Sequence, residues 1–408
     1  MNTKRDQLWQ QLEQKQDWDM IVIGGGITGA GILRQAAQAG LRALLLEAGD
    51  FASGTSSRSS KLVHGGLRYL RNRQWNVTHE SVTERQRLLR EAPNLVTPLK
   101  FIITDRKNDK VPAWQFGLAV FIYDLMAPKW QHGYYTKKVL HDLAPQLRLD
   151  NLVGGYYYYD ALIDDARLVL RSIQEAALRG ALALNYTRVE TLLTDHNGQV
   201  RGVAVRDMAP GGNERTLELT AKAVINATGP GADFLRGQVG GRPCIRKLRG
   251  SHIIFPWHRL PIQQAFTLVH PRDRRVMFAI PWDGVTLVGT TDLDHPAEME
   301  ARTPEPVITL GEVDYLLEAL ADAFPNLALG AQDIRSTFAG LRPIVNLDPS
   351  GAPSKQSRQH VILQENGLVT VTGGKLTTYR LMANQTLQAI RARFSPTLEF
   401  DPAKPTFC

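Results

Sequence analysis

Asp19-Met20-Ile21-Val22-Ile23-Gly24-Gly25-Gly26-Ile27-Thr28-Gly29 is the stretch on which the reading of this chain turns, with Glu47 standing eighteen residues beyond it. Met20 to Ile23 is an apolar run closed by glycines, which predicts a buried strand. Gly24, Gly26 and Gly29 fit G-x-G-x-x-G. In that pattern the first glycine makes a tight turn and the second lets the backbone approach a pyrophosphate. The third lets helix and strand pack closely. A helix predicted over Ile27–Ala39 points its N-terminal N–H groups and dipole at the phosphates and stops at Gly40. Leu41–Leu46 reads as the second strand, leaving the Glu47 carboxylate to accept hydrogen bonds from an adenosine ribose. Strand, glycines, helix, strand and acid in that order define a dinucleotide site.

The 408 residues exceed what one compact core normally holds, so two domains are expected. A net charge of +8 suits an anionic substrate or a loose membrane contact, and equally plain surface chemistry. The basic residues are dispersed and match no nucleic-acid-binding module, so no nucleic acid partner is expected. Cys244 and Cys408 are the whole cysteine content, which excludes a disulfide framework or a cysteine metal cluster and suits a reducing cytoplasm. Residues 1–17 show no secretory pattern. They read as a polar helix docking through Leu8, Trp9 and Leu12, with a lipid contact as the lesser alternative. Ala113–Pro128 is interrupted by Gln115 and Asp124 and is too short to span a bilayer.

Beyond Glu47, residues 48–61 form an aperiodic loop of small hydroxyl side chains, suited to wrapping a polar ligand. Leu62 to Leu70 then places His64, Gly65, Gly66, Arg68 and Tyr69 together, where paired glycines let backbone close to a flat ligand. Further on, Ala223–Gly231 is an apolar strand running into a small-residue turn, and Val369–Arg380 is a strand, two glycines and a helix start. Arg246–Arg249 reads as a basic turn that puts His252 at the start of a strand. Asp164 is placed to cap a helix running to Arg179.

Together GGGITGAG, LLLEAGDFASGTSSRSSKLVHGGLRYL, DDARL, GTTD, GLRP and GGKLTTYR resemble the FAD-dependent glycerol-3-phosphate dehydrogenases and oxidases, a branch of the D-amino-acid-oxidase-like flavoproteins. The resemblance spans residues 18–392. It implies an α/β (α+β) architecture, with a Rossmann-like FAD-binding domain of the glutathione-reductase/D-amino-acid-oxidase type and a second, antiparallel-sheet substrate domain. The FAD-binding domain is expected over 18–95, 160–240 and 340–395, and the substrate domain over 96–159 and 241–339. A helix at 1–17 and a tail at 396–408 complete the chain. The family commonly continues with a further helical domain, whereas this sequence stops at Cys408.

The resemblance implies FAD contacts from Gly24, Gly26, Ile27, Thr28, Gly29, Glu47 and Ala48, and from Thr55, Ser56, Ser57, Ser60, Lys61, Leu62, His64, Gly65 and Gly66. Val189, Ala227, Thr228, Gly229, Gly340, Arg342, Gly373, Gly374, Lys375, Leu376, Thr377 and Thr378 complete the set. Relatives of this kind oxidise sn-glycerol 3-phosphate at C2 to dihydroxyacetone phosphate, passing a hydride to flavin N5. A phosphate dianion favours arginines with planar, bidentate donors. Loss of the hydroxyl proton needs a base or a cationic site. By the resemblance Arg342 and Arg358 clamp the phosphate, while Arg68, Tyr69, His252 and Lys375 surround the rest of the substrate. The catalytic candidates are His64, His252, Arg342 and Lys375, and the sequence does not choose between His252 and His64 as the base.

Quinone or another carrier is the expected electron acceptor. An oxidase using O2, on a related polyol phosphate or on an amine or amino acid, is the second enzyme reading. A flavin-binding module without turnover is a third. A homodimer and a peripheral contact with the inner face of the cell membrane stay open beside these.

Overall fold

The computed structural model describes residues 4–14, 17–66, 75–107, 117, 121–122, 132–211, 215–303, 305–345, 360–394, 400, 404–405 and 407. Its strands begin with β1 (Asp17–Ile23), β2 (Ala43–Leu46), β3 (Leu62–Val63), β4 (Val96–Arg106), β5 (Gly133–Thr136), β6 (Leu152–Ile163), β7 (Leu182–Leu184), β8 (Thr187–Thr194) and β9 (Val200–Asp207). They continue with β10 (Thr216–Asn226), β11 (Ile245–Pro256), β12 (Ala265–Val269), β13 (Val276–Trp282), β14 (Val285–Gly289), β15 (Leu293–Asp294), β16 (Ser336–Val345), β17 (His360–Glu365) and β18 (Leu368–Gly373). The chain divides into two compact units. Met1–Ser57, Asp164–Lys247 and Arg342–Cys408 form the first, and Arg58–Ile163 with Leu248–Leu341 the second.

In the first unit the sheet order is β17-β18-β10-β1-β2-β7, with β8 and β9 continuing from β10 as a meander. From β18 through β10, β1 and β2 to β7 the pairing is parallel. A parallel sheet is covered on both faces, which is why its strands read as unbroken apolar runs. Met20 and Val22 pack against Ile32, Leu33 and Ala36 of the helix Ile27–Gln38 and against Met382 and Leu387 of the helix Tyr379–Ala389. Ile21 and Ile23 point the other way, into a cluster with Val203, Val205 and Leu219 of the meander. The N-terminal helix Lys4–Gln14 docks on that second layer: Trp9 and Leu12 are buried there, and Arg5 pairs with Asp207.

The second unit is built on a sheet ordered β15-β11-β14-β13-β12-β4-β6-β3, with β16 on β11 and β5 on β6. β11 with β14, β14 with β13, β13 with β12 and β4 with β6 pair antiparallel, whereas β12 with β4 is parallel. One apolar cluster joins this sheet to the helix Leu310–Ala323, through Val313, Leu316 and Leu320.

The unit boundaries depart from the expected ones by a few residues at 160–163, 241–247 and 340–341, and by a whole segment at 58–95. Residues 58–95, assigned from sequence to the cofactor domain, cluster with the second unit. The cause is packing: Leu62 and Val63 pair with Leu162 and Ala161 of β6, and Val82 of the helix Trp75–Glu91 is buried beside Phe101 and Tyr158. A two-residue strand carries no periodicity from which this can be read. Most of the helix expected over Trp114–Ala127 lies outside the described residues. Among the described residues no helix is long and apolar enough to cross a membrane.

Candidate active site

Because β2, β1, β10 and β18 run parallel, their carboxyl ends open on one edge of the first unit's sheet. Gly24–Gly26 follow β1, Glu47 follows β2, Ala227–Gly229 follow β10 and Gly374-Lys375 follow β18. Ligands of open α/β sheets bind outside that edge. Gly24 has φ +111°, and a Cβ built on it would lie 2.6 Å from the Ala227 carbonyl oxygen, so only glycine makes this turn. Gly26 then opens the helix Ile27–Gln38 without a side-chain cap of its own. The Ile27 N–H donates to Ser56 Oγ at 2.9 Å, which ties the hydroxyl-rich loop to the helix start.

Glu47 is held at both carboxylate oxygens. Gly25 N–H donates to Oε2 at 2.5 Å and Gly49 N–H to Oε1 at 2.7 Å. A carboxylate oxygen has lone-pair capacity beyond one such bond, so the group remains an acceptor for ribose hydroxyls. Asn226, fully buried, pins the neighbouring turn: its Oδ1 accepts from Thr228 Oγ1 at 2.7 Å, and its Nδ2 donates to the Ala232 carbonyl at 2.9 Å. Asn226 is absent from the residues expected at the site, although an amide closing the apolar run Ala223-Val224-Ile225 is a readable signal. A helix start opened by a glycine, an oriented carboxylate at the end of the second strand, and open space beside Gly229 suit a dinucleotide's pyrophosphate, ribose and backbone approach. The residues present fit FAD.

Other expected cofactor residues of this unit are distributed as follows. Thr55–Ser57 form one 3-10 turn and Leu376–Thr378 another, with Thr377 and Thr378 buried. The hydroxyls near the late glycines therefore sit in that turn, ahead of the helix Tyr379–Ala389. Arg342 lies in β16 and Lys375 precedes the 3-10 turn, both half-buried. Thr28 is half-buried and Ala48 exposed, whereas Val189 is in β8 with its side chain in the apolar core beneath the meander.

The second unit brings Ser60, Lys61 and His252 together. His252 is 1% exposed, with Nε2 2.9 Å from Ser60 Oγ and its ring stacked on Phe338 at a centroid distance of 4.6 Å. Lys61, itself buried, places its ammonium 5.2 Å from the Trp282 ring centre and 5.6 Å from that of Phe338. Such cation–π contacts stabilise a desolvated lysine. Leu62 is in β3, and Gly340 lies in β16, close to Arg58: a Cβ there would meet the Arg58 carbonyl oxygen at 2.7 Å. His64, half-buried, leads into Gly65 and Gly66, and the Gly65 N–H donates to Asp160 Oδ1 at 3.1 Å. Asp160 is in turn paired with the buried Arg85. Asp160 thus orients the His64 loop, and Asp164 caps the next helix by accepting from Arg167 N–H at 3.0 Å.

His252 is not at the start of a strand, as expected from the basic residues before it. It lies inside β11, which runs from Ile245, because Arg249 is buried rather than in a turn. Its partner is Glu312, 2% exposed, with Arg249 Nη2 at 2.9 Å from Oε2. Ser251 Oγ and Thr291 Oγ1 also donate to Glu312 Oε1 at 2.8 Å, and Thr309 N–H to Oε2 at 2.9 Å. Burial pushes the Glu312 carboxyl up, but the bonds from Arg249, Thr309, Ser251 and Thr291 outweigh it and hold its pKa below the usual 4.5. The GTTD segment is therefore tied to β11 and to the helix Leu310–Ala323 through one carboxylate. Arg68, Tyr69 and Arg358 lie outside the described residues.

The chain belongs to the FAD dependent oxidoreductase (DAO) family, whose model matches residues 19–380. FAD is its cofactor, and two-electron redox chemistry is its class of reaction. Within that class the chain is 36% identical over 386 residues to the aerobic glycerol-3-phosphate dehydrogenase of Staphylococcus haemolyticus, covering 93% of this chain and 68% of that protein. It is also similar to the glycerol-3-phosphate dehydrogenase of Bacillus halodurans solved with FAD. That match has a TM-score of 0.77 at 35% identity, over 95% of this chain and 67% of the other. Glycine oxidase from Geobacillus kaustophilus shares the fold, with a TM-score of 0.65 at 18% identity over 96% of this chain and 99% of the other.

Proposed function

We propose that this chain oxidises sn-glycerol 3-phosphate at C2 to dihydroxyacetone phosphate. The observation that carries this reading is the 36% identity, over 93% of the chain, to a protein named aerobic glycerol-3-phosphate dehydrogenase. The bound flavin supplies a hydride acceptor at N5. Arg342, with Arg358 and Arg68, meets the need for planar donors to a phosphate dianion. Lys375 adds a positive charge that favours the alkoxide character developing at the C2 oxygen. His252 takes the hydroxyl proton, with His64 as the alternative acceptor. Burial of His252 against Phe338 keeps water from the ring and leaves Ser60 as a specific polar contact at Nε2.

Electrons pass onward to quinone or another carrier in a reducing cytoplasmic setting, to which the free thiol of Cys244 is suited. Anaerobic mixing of the flavoprotein with sn-glycerol 3-phosphate tests the substrate: bleaching supports it, and an unchanged spectrum removes it. Stoichiometric peroxide under air would instead make O2 the acceptor.

A further inference from the structure

We propose that Asn226 is a positioning residue for FAD, holding the ends of β1, β10 and β18 as one cofactor-facing edge without touching the cofactor itself. The role concerns FAD retention and is independent of which substrate is oxidised. Asn226 ends β10 between two parallel neighbours, pairing with Ile23 of β1 on one side and Thr370 of β18 on the other. Its side chain is fully buried. Oδ1 accepts from Thr228 Oγ1 at 2.7 Å and from the Thr228 N–H at 3.3 Å. Nδ2 donates to the Ala232 carbonyl at 2.9 Å and to Thr370 Oγ1 at 3.3 Å. A side-chain amide has two acceptor sites and two donor hydrogens, so this one is fully used within the protein. A backbone N–H can only donate and a carbonyl only accept, so Thr228 and Ala232 leave the amide a single orientation.

The turn that Asn226 spans lies between the other two cofactor-facing ends. On the β1 side the Ala227 N–H donates to the Ile23 carbonyl at 2.8 Å. The Ala227 carbonyl oxygen is the atom that a Cβ on Gly24 would meet at 2.6 Å, so this turn seats directly against the fingerprint turn. On the β18 side Thr372 Oγ1 donates to the Gly229 carbonyl at 3.4 Å, just ahead of Gly373 and Gly374. Between these contacts runs Gly229-Pro230-Gly231, where two glycines supply backbone freedom and no side chain to pack. Asn226 compensates by tying the first residue of that turn, Thr228, to Ala232 beyond it, and both to β18. An edge fixed in this way meets FAD already ordered, and loosening it shifts that ordering cost onto binding.

The test compares Asn226→Asp, Thr370→Val and Thr370→Ser with the parent as purified holoproteins. Asn226→Asp keeps the shape and the acceptors but removes both donors and sets a carboxylate against the Ala232 carbonyl. Thr370→Val is a buried isostere that removes only the hydroxyl, and Thr370→Ser retains it. The measurement is the dissociation constant of FAD, read from the return of flavin fluorescence on dilution. It should rise at least about tenfold in Asn226→Asp and about threefold to tenfold in Thr370→Val, the range for loss of a buried hydrogen bond. Thr370→Ser should stay within about twofold of the parent, and Thr370→Val should add nothing in an Asn226→Ala background. A role confined to stability would instead lower the urea midpoint of the flavin-free protein and leave the dissociation constant of folded protein unchanged. Should Asn226→Asp fail to accumulate, the two Thr370 variants decide alone. A parent-like dissociation constant in Thr370→Val or in folded Asn226→Asp, or an undiminished effect of Thr370→Val beside Asn226→Ala, would each overturn the proposal.

Discussion

Gly29 sits so close to Gly24 that a Cβ built on it would lie 1.9 Å from the Gly24 carbonyl oxygen. The first and third glycines of the fingerprint thus constrain one another. Any side chain at position 29 must push the helix Ile27–Gln38 away from β1 or break the turn that aims it. Gly29→Ala should therefore yield protein with little or no bound flavin, read as the flavin-to-protein ratio after purification. A fully loaded, stable Gly29→Ala protein would show that the close packing is dispensable.

The buried pair Arg249–Glu312 predicts a stability defect outside the flavin site. Glu312→Ala leaves a buried guanidinium without its carboxylate, which costs about 3–5 kcal/mol for pairs of this kind. Its readout is the urea midpoint of the holoprotein.

The same carboxylate has a pH signature. Its folded pKa is depressed below the usual 4.5, so its contribution is fully present above the unfolded value and is lost as pH falls through the folded one. The urea midpoint of the parent should drop in that acid window more steeply than that of Glu312→Gln. Parallel acid limbs for the two proteins would exclude Glu312 as a source of the dependence.

Arg342→Ala should raise the KM for the phosphate ester at least about tenfold, the loss expected for a charge-assisted bond to a dianion, while flavin content stays near that of the parent. Unchanged kinetics would remove Arg342 from the phosphate site.

His252→Gln and His64→Gln separate the two candidate bases. The variant that removes the base should slow flavin reduction by about 100-fold or more and flatten its pH dependence. The other should keep the parent's pH profile. Two parent-like profiles would exclude both imidazoles.

The sequence reveals most where a single element carries its own punctuation. Met20–Glu47 reads correctly because an apolar run, a glycine turn and a second apolar run are local, and the observed helix Ile27–Gln38 ends one residue from the expected one. Asp164 reads as a cap because its role reaches only three residues, to the Arg167 N–H. What fails is long-range. Arg246–Arg249 looks like a turn because charges interrupt the pattern, yet Arg249 is paid for by Glu312, 63 residues onward. A signal was there, since Thr309-x-x-Glu312 is a capping box that brings this carboxylate to the helix start. The contact between Ser60 and His252 spans 192 residues and leaves no local trace.

The most direct measurement is the absorbance of the purified yellow protein mixed anaerobically with sn-glycerol 3-phosphate. Bleaching of the oxidised flavin band, with dihydroxyacetone phosphate formed one-for-one with flavin reduced, is the expected result. A spectrum unchanged by sn-glycerol 3-phosphate in protein that dithionite still bleaches would contradict the assignment.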